Sequence, residues 1–302
     1  MRAAVPVAAG AVRGAVSAGD HDRRGGAAGG AARGRPPRSA HRGRQPFRRE
    51  RHDRCGDRGA RSGHGYTWGL GTTTTHALAL ILNPKLGYDP VRDFAPVALL
   101  GDSPYFLTVN PALPASNVRE FIAHARANPG KLLYASVGNF SVGHLSGELF
   151  KKAAGIDMVH VPYKGSNLAL IDLLAGRIHL NISTIAASLP HVRAGKLRAL
   201  AVTSQQRVAA LPQVPTIAES GFPGYQASLW VGVFVPARTP GAVVARINRE
   251  FNATLGSAEM RDALAEQAFE PGTGTPDAFA RLIREDTARW RKVIKEAGLK
   301  PE

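Results

Sequence analysis

From Tyr66 to the end of the 302-residue chain, short apolar runs of strand length alternate with amphipathic runs of helical length. Turn-forming residues separate these runs, and each run has the period of a strand or of a helix. Strands are predicted at 105–109, 132–136, 158–161, 178–182, 198–202 and 229–235, and helices from 117, from 144 to about 154, at 168–175, at 186–194, from 239 and from 275. This alternation predicts an α/β fold whose sheets carry helices on both faces. Ligands of such folds bind beyond the carboxyl ends of the strands.

Three of the predicted helices have recognisable start signals. Asn117 is followed by Glu120 at the third helical position, which predicts a reciprocal cap. Gly130 is predicted to end this helix. In the pairs Thr239-Pro240 and Thr275-Pro276, the threonine is predicted to cap and the proline to open the first turn. The core-facing stripe of the first helix is predicted to comprise Val118, Phe121, Ile122 and Ala125.

Residues 1–64 have a different composition from the rest of the chain. They contain 15 Arg against 5 acidic residues, so most of the formal charge of +16 lies in this segment. Ala and Gly fill 25 of its 64 positions, and it contains no Leu, Ile, Tyr or Trp. A segment with so little apolar side-chain area cannot offset the conformational entropy lost on folding. We therefore predict that residues 1–64 are aberrant or disordered.

Three interpretations of residues 1–64 stay open. The weak apolar run after Arg2 could belong to a signal peptide, although it lacks Leu and is followed at once by Arg13. The arginine clusters could bind nucleic-acid phosphates, although Phe47 is the one aromatic residue available for base stacking. The segment could also be a GC-rich coding region translated out of frame. Codons permitted for Arg44–Ser62, read one base later, allow GNPFGGNGTIAAEIVARS, a Gly-rich turn followed by an amphipathic helix. We favour this third interpretation.

Several classes of protein are excluded or disfavoured by the sequence. No run of 18 apolar residues is present, so no membrane-spanning helix is predicted. The single cysteine, Cys55, excludes an intrachain disulfide and a multi-cysteine metal site. The chain contains no HExxH, P-loop or GxSxG motif and no visible set of nucleophile, base and orienting residue. We therefore predict no enzymatic activity, no metal and no cofactor.

Two hydroxyl-rich loops are candidate ligand sites. The second precedes a predicted helix whose first amides are free to bind an anion, and the first precedes a helix-like run and offers four threonine hydroxyls to a carboxylate. The candidate residues of the second loop are Ser136, Gly138, Asn139, Ser141 and His144. Those of the first loop are Thr72, Thr73, Thr74, Thr75 and His76. The alternative for both loops is ordinary helix capping, with the histidines as packing residues. If the two loops share one cleft, they should face each other.

Residues 65–302 resemble the extracytoplasmic solute-binding proteins of tripartite tricarboxylate transporters, the Bug family. The resemblance rests on the runs Tyr88-Asp89-Pro90, Asp93-Phe94, Tyr134–Asn139, His144-Leu145, Glu148–Phe150, His160–Gly165, Gly195–Ala201, Leu211–Thr216 and Gly221–Tyr225. The chain departs from the family pattern at Phe140, where the family usually has Gly, and at Ser183, where Asp is common. Both departures could reshape the ligand pocket.

The resemblance implies a two-lobe periplasmic-binding-protein fold of type II-like topology, with crossover strands near Tyr105–Val109 and Leu229–Val235. One lobe would comprise residues 65–103 and 226–302, and the other residues 104–225. The family also has a first strand and a Gly-Gly ligand loop, which residues 1–64 lack as written, and the shifted frame restores a family-like helix.

The resemblance also implies a function. The protein would be a periplasmic monomer that binds a small carboxylate or related solute in the cleft, with Ser183 added to the candidate ligand residues. It would deliver the solute to the membrane components of a tripartite transporter, without a cofactor or a nucleic-acid partner. The alternative function is nucleic-acid binding through the basic N-terminal segment.

Overall fold

The computed structural model describes residues 67–266 and 268–300, so the predictions for residues 1–64 lie outside the described residues. The strands are β1 (Gly69–Thr72), β2 (Phe94–Val109), β3 (Leu133–Ser136), β4 (Val159–Pro162), β5 (Leu180–Thr184), β6 (Arg198–Val202), β7 (Ser228–Pro236) and β8 (Glu270–Pro271). A π-helical segment, Thr73–Leu78, runs directly into a short helix, α1 (Ala79–Leu82). The later helices are α2 (Val118–Ala127), α3 (Val142–Ala154), α4 (Ser166–Leu174), α5 (Ile185–Arg193), α6 (Gly241–Leu255), α7 (Ala258–Glu266) and α8 (Pro276–Glu296).

The strands form one open mixed sheet in the order β1-β7-β2-β5-β3-β4, with β6 and β8 also paired to β2. β2 changes partners along its length: Phe94–Pro104 pairs with β7, and Tyr105–Val109 pairs with β5. β3 runs parallel to both β4 and β5, whereas the pairs made by β2 are antiparallel. The predicted α/β class is therefore confirmed, and the strand predicted at 105–109 is the last five residues of a 16-residue strand.

At Pro104–Tyr105 the chain passes from the part of the sheet that contains β7 to the part that contains β5, and it returns just before β7. Thr203 ties these two passages together, because its hydroxyl accepts from the Tyr105 amide at 2.8 Å and donates to the Ala227 carbonyl at 2.5 Å. The Thr203 amide in turn donates to the Tyr105 carbonyl at 3.0 Å. One buried side chain thus fixes the spacing of the two passages.

The sequence missed the first half of β2, and the reason lies in its irregular pairing. Its register with β7 shifts between Pro96 and Ala98 and again between Leu99 and Gly101. Proline and glycine interrupt the alternation expected of a regular strand, but both are tolerated where a strand bulges. Four further elements are not predicted by the sequence pattern: β1, the π-helical segment, α7 and β8.

Two of the three predicted helix starts are confirmed. The Asn117 side chain accepts from the Glu120 amide at 2.9 Å, and the buried residues of α2 are the predicted stripe. The return half of the predicted reciprocal cap differs, because the Glu120 carboxylate accepts from the Ser116 amide at 2.7 Å and not from the Asn117 amide. Thr275 caps α8 by accepting from the Ala278 amide at 3.2 Å. The cap predicted at Thr239 is wrong, because its hydroxyl donates to the Pro236 carbonyl at 2.8 Å and α6 begins at Gly241. α2 ends at Ala127, before Gly130, whose φ of 70° serves the turn that follows.

The largest buried cluster joins elements that are far apart in sequence. It includes Leu78 at the end of the π-helical segment, Tyr105 on β2, Val142 and Leu145 on α3, and Trp290 on α8. A second cluster lies between β2, β7, α6 and α7. Within the described part of the chain, no helix is both long enough and apolar enough to cross a membrane.

Candidate functional site

The loop between β3 and α3, residues 136–141, is closed around one carbonyl oxygen. The Gly138 carbonyl accepts from the Ser136 hydroxyl at 3.0 Å and from the Ser141 hydroxyl at 2.8 Å. It also accepts from the Ser141 amide at 3.2 Å. Gly138 has a φ of 126°, a conformation that favours glycine. The two hydroxyls predicted to bind an anion are therefore directed at the loop itself and hold its shape.

Two stacked histidines lie behind this loop. The His144 and His160 rings lie 3.9 Å apart between centroids, at an interplanar angle of 10°. His144 Nδ1 accepts from the Phe140 amide at 2.9 Å, and His160 Nε2 lies 2.7 Å from the Ser136 hydroxyl oxygen. Burial lowers the pKa of His144, and it lowers the pKa of His160 to about 3 with a further contribution from its neighbour His144. Both rings are therefore uncharged at neutral pH.

The donors left for a ligand at this loop are backbone amides. Ser141 is the N-cap of α3, and its side chain accepts from the His144 amide at 3.2 Å. The first amides of a helix have no partner within the helix, and the helix dipole favours a negative charge there. Asn139 lies exposed beside them, and Gly138 is half-buried. The loop and the start of α3 can therefore bind an anion through neutral donors.

The start of α3 is pressed onto β5. A Cβ atom at Gly143 would overlap the carbonyl oxygen of Ile182, so glycine is required for this close approach. The next residue, Ser183, is buried, and its hydroxyl lies 2.9 Å from Asn181 Nδ2 and 3.2 Å from the Ser188 hydroxyl. The structure thus places the Ser183 side chain in an internal network.

The first candidate loop uses most of its hydroxyls to build a helix start. Thr72 and Thr75 cap each other: the Thr72 amide donates to Thr75 Oγ1 at 2.9 Å, and the Thr75 amide donates to Thr72 Oγ1 at 3.4 Å. Thr73 is buried, and its hydroxyl accepts from the Trp230 amide on β7 at 3.1 Å. Thr74 is half-buried and makes no side-chain hydrogen bond to any other described residue. Thr74 is therefore the threonine of this loop whose hydroxyl is available to a ligand.

His76 lies in an aromatic core. Its side chain is 2% exposed, and its ring stacks on Phe234 with 3.9 Å between centroids and meets the edge of Phe94 at 5.1 Å. Nδ1 lies 2.9 Å from Thr75 Oγ1, while Nε2 has no hydrogen-bond partner among the described residues. Burial lowers the pKa of His76 to about 3. This placement matches the packing alternative stated for the two histidines.

The two candidate loops lead into helical segments that share one core. Leu78 follows the first loop, and it belongs to the same buried cluster as Val142 and Leu145 of α3. Phe140 of the second loop packs against that cluster as well. This shared packing supports a common cleft, and the direct juxtaposition of the two loops stays a prediction.

Two features of the site were not recognised in the sequence. His160 was seen as part of a matching run, but its pairing with His144 depends on β4 lying beside β3, which the sequence does not specify. Phe140 was seen as a departure from the family pattern, and the structure gives it a positive φ of 58°. The glycine usual at this position was the signal that could have predicted the left-handed backbone.

No metal centre is evident in residues 67–266 and 268–300, because no three His, Cys, Asp or Glu side chains there are grouped to hold a metal ion.

Comparison with known families identifies one match that covers most of the chain. The sequence model described as the tripartite tricarboxylate transporter family receptor matches residues 59–299. Protein BugT of Bordetella pertussis is 37% identical over 237 residues, which cover 78% of this chain and 73% of BugT. A protein encoded in the tcbD-tcbE intergenic region of Pseudomonas sp. strain P51 is 38% identical over 217 residues, which cover 72% of this chain and 65% of the relative.

Two solved structures similar to this chain hold carboxylates. Rpa4515 of R. palustris, solved with adipate, is 40% identical with a TM-score of 0.73, covering 82% of this chain and 83% of its own. MatC of Rhodopseudomonas palustris, solved with bound malate, is 30% identical with a TM-score of 0.67, covering 80% of this chain and 83% of its own.

Proposed function

This chain belongs to the tripartite tricarboxylate transporter receptor family, and we propose that it is a periplasmic protein that binds a small carboxylate and delivers it to the membrane components of a tripartite transporter. A transporter-associated solute-binding role follows from the family. The carboxylate class is proposed because Rpa4515 and MatC were solved with adipate and malate. The protein would bind its solute without performing chemistry on it.

The observation that carries the proposal is the arrangement of the loop 136–141 and the first amides of α3, which we call the polar cradle. Hydroxyls of Ser136 and Ser141 fix the loop through the Gly138 carbonyl. Ser141 also accepts from the His144 amide, so the first helix amides left for the ligand are those of Val142 and Gly143. A carboxylate at a helix N-terminus is stabilised by the amides and the helix dipole without a cationic side chain. The histidine pair behind the loop contacts the Phe140 amide and the Ser136 hydroxyl, and so helps to hold the loop in place.

We also propose that the ligand binds between two lobes, 65–103 with 226–302 and 104–225. The change of β2 partners between Pro104 and Tyr105 supports the first boundary, and the start of β7 at Ser228 supports the second. The affinity of such a site comes from donors already positioned on both sides of the ligand.

The proposal is tested by titrating the full chain with small mono- and dicarboxylates, together with the variant Ser136→Ala. Loss of this hydroxyl removes the contact to Gly138 and the one to His160, so the loop loses its fixed shape. We expect affinity to fall about five- to tenfold, the equivalent of ~1–1.5 kcal/mol, because the lost contacts act on the ligand only through the shape of the loop.

The matched control is Ser220→Ala. Like the Ser136 hydroxyl, the Ser220 hydroxyl donates to a backbone carbonyl, that of Thr216 at 2.8 Å. Ser220 is half-buried, whereas Ser136 is fully buried, and Ser220 lies outside both candidate loops. Affinity should be unchanged in this variant. If the wild-type chain binds none of the carboxylates, or if both variants lose affinity equally, the proposed site is wrong.

A further inference from the structure

Phe140 has an unusual backbone conformation for its residue type. Its φ of 58° lies in the left-handed region, where the Cβ atom of a bulky residue is crowded by its own backbone. The conformation is held by two contacts: the Phe140 amide donates to His144 Nδ1 at 2.9 Å, and the ring meets the edge of the His144 ring at 5.9 Å. Residues held in such conformations cluster at functional sites, where the surroundings over-determine them.

Phe140 is next in sequence to the helix start at which we propose the carboxylate binds. Phe140 directly precedes Ser141, the N-cap of α3, so it flanks the first helix amides. The ring is half-buried: one part packs on the large core cluster, and the remainder is open to solvent. Val137 in the same loop is 38% exposed. A carboxylate seated at the start of α3 would therefore have an apolar wall next to its carbon chain.

Among the described residues, the two charged groups that act on the histidine behind this wall are paired with each other. The charged groups that act on His144 are Glu148 and Lys151, and these two form an ion pair with each other at 3.1 Å. Their charges therefore largely compensate at the loop. Moving a second carboxylate from water onto an aromatic ring without a partner is unfavourable.

We propose that Phe140 is a specificity-determining residue that makes the site favour a carboxylate with an apolar body over a dicarboxylate of the same length. The inference rests on the proposed function, since it concerns the selectivity of the same site. The ring would gain contact with the ligand's methylene groups and would disfavour a charged group placed against it.

The test compares hexanoate with adipate, which have the same number of carbons and differ in the second carboxylate. NMR titrations of the full chain at millimolar ligand should give a lower Kd for hexanoate than for adipate. In Phe140→Gly, which accepts the left-handed backbone without a side chain, the ratio of the two Kd values should shift by about tenfold toward adipate. A purely structural role of Phe140 would change thermal stability and leave this ratio unchanged.

Phe222→Ala is the matched control. Phe222 is also half-buried on the large core cluster, but it contacts the Phe150 ring on α3, with 6.0 Å between centroids, and lies outside the loop. The ratio should stay at the wild-type value in this variant. An unchanged ratio in Phe140→Gly, or an equal shift in Phe222→Ala, overturns the role of Phe140 while leaving the proposed function intact. If wild type binds neither compound but binds another carboxylate of the panel, the role of Phe140 is overturned; if it binds no carboxylate at all, the proposed function itself is overturned.

Discussion

The two candidate loops have similar residue types in the same order, but different side chains pack around them. Each follows a strand, contains several hydroxyls and places a histidine at the start of a helix. In the first loop His76 is enclosed by Phe234 and Phe94, and three of the four threonines are committed to the helix start or to β7. In the second loop, His144 stacks on another histidine and accepts from the loop backbone.

The difference shows that local sequence does not decide between a structural cap and a polar cradle. The deciding feature is the residue type on the neighbouring strand. β7 brings Phe234 to the first loop, while β4 brings His160 to the second loop. The first loop is therefore packed mainly as core, and the second stays polar and open at the start of α3. Three predictions test this contrast.

The largest effect is expected from Gly143→Ala, compared with Gly71→Ala. A Cβ at Gly143 would overlap the Ile182 carbonyl, which belongs to the backbone of β5 and cannot move alone. A Cβ at Gly71 would overlap the His76 and Phe234 rings, which are buried and stacked but, as side chains, can yield by small rotations that a strand backbone cannot make. We expect the free energy of unfolding to fall by ~3 kcal/mol in Gly143→Ala and by ~1–2 kcal/mol in Gly71→Ala.

Denaturant unfolding of the two variants measures this difference, and carboxylate titration should show loss of binding in Gly143→Ala. Equal destabilisation would mean that the start of α3 can move away from β5. The β5 backbone near Gly143 would then be no more rigid than the rings near Gly71.

The second prediction concerns pH and the buried His76. Its pKa is about 3 in the folded chain, against about 6.5 when exposed, so below pH 6.5 the unfolded chain takes up a proton that the folded chain does not. Stability from this residue is therefore complete above pH 6.5 and is lost as the pH falls toward 3. Between pH 7.5 and pH 5 the loss is ~2 kcal/mol.

His76→Phe should remove this part of the pH dependence and stay folded at pH 7.5, because the ring sits among aromatic side chains and its Nε2 has no partner among the described residues. His144→Phe should be less stable at pH 7.5, because the Phe140 amide would lose its acceptor. Unfolding curves at pH 5 and pH 7.5 separate the two. A pH slope that persists unchanged in His76→Phe would show that His76 is protonated in the folded chain.

Much of the fold could be predicted from the sequence, because its elements have regular periods and local start signals. The cap at Asn117 and the stripe of α2 are examples, and both depend on residues within one turn. The wrong cap at Thr239 shows the limit. Its hydroxyl donates to the Pro236 carbonyl and does not accept from a helix amide, which the local pattern alone does not reveal. The frame-shift hypothesis for residues 1–64 stays a proposal, and resequencing that part of the gene tests it.

The site was harder to predict because its chemistry depends on contacts between distant strands. The sequence identified Ser136 and Ser141 as polar loop residues, but their hydroxyls are directed at Gly138. His160 joins His144 only because β3 and β4 are parallel neighbours. The type of residue was thus predictable, whereas the direction of each hydrogen bond required the packed structure.

The smallest effect on stability, and the most direct test of the first loop, is expected from Thr74→Val compared with Thr72→Val. The Thr72 side chain caps the helix start, so its loss should cost ~1 kcal/mol of unfolding free energy. Thr74 makes no side-chain hydrogen bond to another described residue, so valine, which has nearly the same shape, should change stability by only a few tenths of a kcal/mol.

If the first loop faces the cleft, the two variants should rank in the opposite order for carboxylate affinity. The Thr74 hydroxyl is then available to the ligand, and its removal should weaken carboxylate affinity about five- to tenfold, whereas Thr72→Val should weaken it less at a temperature where both variants are folded. Thermal unfolding and titration of the same samples give both quantities. An affinity unchanged in Thr74→Val would mean that the first loop is structural throughout, and that the polar cradle at α3 binds the carboxylate without it.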